Sequence, residues 1–272
     1  MLAQFDVVAA MPSPFLMRVA AGVGCSFGVS NDPDMPPDDA CASGPDDYVF
    51  TGPYWRRDFD QPGDINYKFV LAHEYGHYVQ RKMSGLPIHP YKFAGQPDEP
   101  GTPPLCRCDH ISGSNALHCL QSREAPGTAQ IEGWAQYIAA RTWNNSNEAN
   151  CTHNYYKQVQ TNGGVLQPPV PTDCYGAVHW RDSNCFSATR GTEWDWMQFY
   201  YRVSVITPNQ STLQDIRQIY LASCGGFCDD NDAASWGSLS LAAANYFGGQ
   251  GDVRFLNFQA RADQTGVDED QF

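Results

Sequence analysis

Hydrophobic residues follow a β-tolerant pattern near the start of the chain and recur at spacings of three and four further on. Phe5, Val7, Val8, Phe15, Leu16, Met17, Val19 and Val23, broken by Pro and Gly, predict one or two short strands within residues 1–30. From Asn31 to Gly63, Pro, Asp and Gly with interspersed aromatics predict an irregular loop. Asp64 is a candidate N-cap. Ile65, Phe69, Ala72, Gly76, Val79 and Met83 then predict a helix that Ser84-Gly85-Leu86-Pro87 stops. The Pro-, Gly- and Cys-rich stretch between Leu86 and Pro126 is long for a connection without structure of its own, and such loops often border a functional cleft.

Thr128 can cap a second helix reaching about Trp143, with Ile131, Trp134, Ala135 and Ile138 on its apolar side. Thr192 with Asp195, and Thr212 with Asp215, make two capping-box patterns. The first precedes Trp194, Trp196, Met197, Phe199, Tyr200 and Val203; the second precedes Ile216, Ile219, Tyr220 and Leu221. A further helix is expected from Ser235 to Phe247, stopped by Gly248 and Gly249, before an acidic tail through Asp268, Glu269 and Asp270. No internal repeat or linker divides the chain. The expectation is one domain over residues 1–272, with a strand and loop part (1–63), a pair of helices around a Cys-rich insertion (64–143) and a helical C-terminal part (144–272). The fold class is α+β, predominantly helical, with a small β portion near the N-terminus and long disulfide-bonded loops.

Composition narrows the function classes. At 42% hydrophobic, 13% aromatic and 17% charged, the 272 residues are globular in character. The formal net charge of −13 would repel phosphate backbones, which argues against nucleic-acid partners. Ten cysteines, mostly in turn-like sequence, point to disulfides and an oxidising, extracellular compartment. No cationic start followed by a clean apolar run is visible before Arg18, so the chain reads as a mature or excised piece of a secreted protein. Ala233 to Gly251 is uncharged but carries Ser235, Ser238, Asn245 and several glycines, so no membrane span is expected.

The most informative text is His73-Glu74-Tyr75-Gly76-His77, an HExxH pattern inside a predicted helix. Four residues at about 100° each bring the two imidazoles to within roughly 40° around the axis and about 6 Å along it. Both can then reach one ion, with Glu74 beside the pair and free to act on a water. A catalytic zinc site needs a third protein ligand and an open position. The longer HExxHxxGxxH pattern is absent, because Gln80 and Met83 stand at its Gly and His positions. Glu132 in Glu132-Gly133-Trp134-Ala135 is the preferred third ligand, since a helix would hold its carboxylate and Gly133 permits two helices to approach closely. Glu124, Glu193 and Asp195 are its rivals, and Asp195 is alternatively a support for a ligand histidine.

HEYGH followed by a helical EGWA resembles the gluzincins, zinc metallopeptidases whose third ligand is a Glu on a later helix. The likeness spans about Asp64 to Trp143. It implies a zincin-like catalytic domain in which His73, His77 and Glu132 hold one catalytic Zn2+ and Glu74 is the general base. The implied activity is hydrolysis of peptide bonds in a protein or peptide substrate, with an endopeptidase slightly preferred. A Tyr or His that stabilises the tetrahedral oxyanion is also implied, and His179, Tyr155, Tyr175, Tyr200 and Tyr201 are the candidates. Competing readings are an extracellular binding module on the same scaffold and a zinc hydrolase of a non-peptide bond. An intact Glu74 weighs against the first, since a scaffold has no physical need of a base beside the metal.

Cys106, Cys108, His110, His118 and Cys119 lack the paired spacing of a structural zinc site and are better read as disulfide-forming loop sequence. Calcium is the secondary candidate ion, at Asp32, Asp34, Asp38 and Asp39 or at Asp229, Asp230 and Asp232 beside Cys224 and Cys228. A solvated acidic loop is the simpler reading of the first group. Asn144, Asn150 and Asn209 begin N-x-S/T sequons.

Overall fold

A computed structural model of the chain describes residues 16–19, 40–42, 48–51, 72–77, 79–80, 126–143, 191–205, 208–223 and 236–269, and these are predominantly helical. Three short strands, β1 (Leu16–Val19), β2 (Ala40–Ala42) and β3 (Tyr48–Thr51), form a sheet in the order β1-β3-β2. β1 runs parallel to β3 with Leu16 opposite Tyr48, and β2 runs antiparallel with Ala42 opposite Val49. β2 and β3 fall inside the stretch whose Pro, Asp and Gly content suggested only irregular loop.

The helix bearing the HExxH pattern, α1, is helical at residues 72–77 and 79–80. α2 (Pro126–Trp143) begins two residues before the expected cap, Thr128. Pro126 accounts for the difference: its ring fixes a helical φ, and the N–H it lacks would have no partner in a first turn. α3 (Glu193–Val205) starts at the expected Thr192, whose hydroxyl donates to Asp195 Oδ2 at 2.9 Å and accepts from the Asp195 backbone N–H at 3.4 Å. α4 (Leu213–Ser223) carries the fuller reciprocal box. The Thr212 N–H donates to Asp215 Oδ2 at 2.7 Å, and the Asp215 N–H returns to Thr212 Oγ1 at 3.1 Å.

α5 (Trp236–Phe247) runs into Gly248 and Gly249, whose φ values of 95° and 129° suit glycine and end the helix. Where only an acidic tail was expected, a further helix, α6 (Val253–Thr265), precedes a short 3-10 turn at Val267–Glu269. Asp252 caps α6 by accepting from the Arg254 N–H, and Gly266 at φ 76° closes it by donating to the Ala262 carbonyl. Phe255, Phe258 and Ala262 are buried while Val253 and Leu256 face solvent, so the apolar spacing of this helix is blurred in the sequence.

The core lies around α2 and α3. All described side chains from Ala129 to Ala140 except Gln136 are buried, as are those from Glu193 to Val203, so both helices are enclosed on every side. Ring pairs tie the layers together: Trp134 meets Tyr200 edge-on at 5.3 Å, Phe199 meets Phe258 at 4.9 Å, and Trp236 stacks on Phe258 at 5.7 Å. Each such pair is worth about 0.5–1.5 kcal/mol beyond its buried area. Among the described residues, no helix is long and apolar enough to cross a membrane.

Several expectations lie outside the described residues: the Cys-rich insertion with His110 and His118, both acidic loops considered for calcium, Glu124, His179, Tyr155 and Tyr175. Of the ten cysteines only Cys41 falls in a described element, where its backbone pairs with Phe50.

Candidate metal centre

Two glycines set the distances between the helices that matter. A Cβ built on Gly76 of α1 would lie 2.6 Å from Ala135 Cα of α2, a spacing that no side-chain carbon tolerates. On α2, a Cβ at Gly133 would lie 2.4 Å from Trp196 Cβ of α3. Gly133 does allow close approach of two helices, as its place beside Glu132 suggested, but the helix it admits is α3. The α1–α2 contact depends on Gly76, one residue from His77 and opposite a residue one turn beyond Glu132.

That contact brings three ligand-type side chains to one point. His73 Nε2 and His77 Nε2 are 3.1 Å apart, with the two rings crossing at 89°. Oε2 of Glu132 lies 3.1 Å from His73 Nε2 and 3.2 Å from His77 Nε2. All three residues are buried, Glu132 to 2% exposure. Burying a carboxylate is expensive unless it is paired.

Protons alone suit this near-equilateral triangle poorly. Two ring N–H groups directed at the Glu132 oxygen would satisfy two edges and leave two donors confronting each other at 3.1 Å along the third. A central cation satisfies all three edges. Tetrahedral coordination at about 2.0–2.1 Å places donors about 3.3–3.4 Å apart, a few tenths of an ångström wider than the triangle found. The His73, His77 and Glu132 group can hold a metal ion.

Glu74 stands beside this triangle. Its Oε1 is 3.9 Å from His73 Nε2 and the residue is half-buried, at the margin of the group instead of inside it. The two rivals among the described residues are not in the cluster: Glu193 accepts from Gln136 Nε2 at 3.1 Å, and Asp195 serves the α3 cap. Asp195 does not support His73 either, for among the described residues Nδ1 of His73 has no hydrogen-bond partner. Tyr200 and Tyr201 are fully buried in α3, and the Tyr200 hydroxyl is engaged by Gln130 Nε2 at 3.1 Å. Burial pushes the Tyr200 hydroxyl well above the usual range, against the formation of a charged phenolate.

Two residues with a bearing on this site carry no motif. Gln80 stood out only as a departure from the longer zinc pattern, yet it is buried and its Nε2 donates to Tyr220 Oη at 3.0 Å. Gln130 makes the corresponding bond to Tyr200. The only available signal was a polar residue at a core-facing helical position. No protein-family profile, curated protein or solved structure matches the chain.

Proposed function

We propose that the chain is a secreted zinc-dependent metallopeptidase in which His73, His77 and Glu132 hold the ion and Glu74 is the general base. The observation that carries this reading is the buried triangle of two imidazole nitrogens and one carboxylate oxygen with a second carboxylate at its margin. Two histidines and a glutamate are a donor set used by catalytic zinc sites, which keep a fourth position open. Zinc held there would lower the pKa of a water towards about 7 and polarise the scissile carbonyl.

The protein's own part follows from placement. Buried imidazoles and a rigidly held Glu132 fix the ligand geometry before substrate arrives. Glu74 Oε1 takes the proton of the attacking water and passes it to the nitrogen of the leaving amine. The ten cysteines support an extracellular setting, and the acidic net charge supports protein over nucleic-acid substrates.

The test is digestion of an unfolded protein substrate with and without chelator, alongside elemental analysis. One zinc per chain and chelator-sensitive cleavage are expected. Glu74→Gln should retain the zinc and lose at least about 100-fold in turnover, in line with general-base contributions of roughly 10²–10⁴. Full activity in that variant would remove Glu74 from the mechanism.

A further inference from the structure

The polar groups buried beneath the metal-bearing helices have a regular arrangement. α1 carries His77 and, three residues on, Gln80; α2 carries Gln130 and, two residues on, Glu132. Each glutamine donates through Nε2 to a buried tyrosine hydroxyl on a later helix, Gln80 to Tyr220 of α4 at 3.0 Å and Gln130 to Tyr200 of α3 at 3.1 Å. The two tyrosines flank Trp134, with ring centroids 5.3 Å (Tyr200) and 6.5 Å (Tyr220) from its own.

These bonds are costly places to put polarity. Gln80, Gln130, Tyr200 and Tyr220 are each 3% exposed or less, and among the described residues Gln80 Oε1 and Gln130 Oε1 have no hydrogen-bond partner. A methionine or leucine would fill either glutamine position without leaving an amide oxygen desolvated. What a directional bond adds and an apolar contact does not is control of rotation and sliding of a helix about its axis. The ligand atoms of α1 project sideways from that axis, so a small rotation would open the triangle, whereas a working site has to be held to within about 0.5 Å and 10–20°. The glycine contacts bring the helices close but do not fix their rotation. The tyrosine ends suit the purpose, because burial pushes the Tyr220 hydroxyl up to about 12 and it remains a neutral hydrogen-bonding group across the range in which a peptidase works.

We infer that Gln80–Tyr220 and Gln130–Tyr200 are positioning pairs that set the rotation of the two ligand-bearing helices and so tune the affinity and geometry of the metal site. The inference rests on the metal-site reading above. Neither glutamine nor tyrosine is a metal ligand in it, and all four act through the helices that carry His73, His77 and Glu132.

The experiment uses the purified full chain, stripped of metal and titrated with Co2+, whose visible absorption reports coordination geometry. Tyr220→Phe removes one oxygen and keeps the ring against Trp134; Gln80→Met removes the same bond from its other end. Each should weaken Co2+ binding about tenfold or more and alter the absorption band, and the double variant should be no worse than the weaker single. Leu239→Ala, a core truncation in α5 that deletes no atom of either pair, should lower thermal stability and leave affinity and spectrum unchanged. Unchanged affinity and spectrum in Tyr220→Phe and Gln80→Met would overturn the positioning role while leaving the metal site standing. Equal weakening by Leu239→Ala would overturn it as well, by reducing the effect to general loosening. If the native chain binds no Co2+, the metal site and the positioning role fail together. Should one single variant not fold, the other decides, since both delete the same hydrogen bond.

Discussion

At the scale of single residues, the candidate metal site depends on one oxygen. Oε2 of Glu132 is within 3.2 Å of both imidazole nitrogens, while its two described rivals, Glu193 and Asp195, are committed to a glutamine and to a helix cap. Glu132→Ala should therefore weaken metal binding by more than the roughly 10- to 100-fold that loss of an outer-shell partner costs. Metal content after dialysis checks this; stoichiometric zinc in the variant would place the third ligand elsewhere. His73 and His77 were legible as a converging pair because residues four apart share one face of a helix; Glu132 lies on another helix, and only its helical context and the EGWA resemblance singled it out. Gln80 and Gln130 were not legible, because a buried glutamine and an exposed one are the same letter, and the partners are 140 and 70 residues away.

At the scale of elements, the two capping boxes read well, while the expected cap Thr128 fell inside its helix. Thr192 with Asp195 and Thr212 with Asp215 formed the bonds their spacing implied, since a capping box is a local device complete within four residues. α6 was missed because two of its apolar residues, Val253 and Leu256, face solvent and obscure the stripe made by Phe255, Phe258 and Ala262. The role of Gly76 was invisible for another reason: a glycine within a helical pattern reads as a small loss of propensity until the facing helix is known. Gly76→Ala would drive a carbon into the Ala135 backbone at 2.6 Å. The expected cost is about 1–3 kcal/mol of overpacking, with a matching loss of metal affinity as α1 moves off α2. Denaturant unfolding of the metal-free variant and a metal titration check the two effects separately. Equal metal affinity in Gly76→Ala would mean that the ligand triangle does not need this contact.

At the scale of the whole molecule, buried tyrosines give the fold a one-sided response to pH. Burial raises the hydroxyls of Tyr137, Tyr200 and Tyr220, the last to about 12, against an ordinary value near 10. A folded-state value above the unfolded one means that the folded chain keeps a proton the unfolded chain has released. The stabilisation is thus fully present below about pH 10 and is lost as pH climbs through the folded value. At about 1.4 kcal/mol per unit, Tyr220 alone should contribute a loss of roughly 2–3 kcal/mol between about pH 10 and 12. Denaturant midpoints at pH 8 and pH 11 check this, and Tyr220→Phe should flatten the decline. The triangle of ligands has a wider consequence, because it joins α1 to α2 across a sequence separation of 55 residues, from His77 to Glu132. An ion seated there acts as a rivet as well as a reagent, worth about 2.7 kcal/mol at a hundredfold excess over its dissociation constant. Under the peptidase proposal, a molecule that loses its rivet would expose its own chain to the neighbours still armed, so ion scarcity should show first as self-digestion and only later as a fall in turnover per intact molecule.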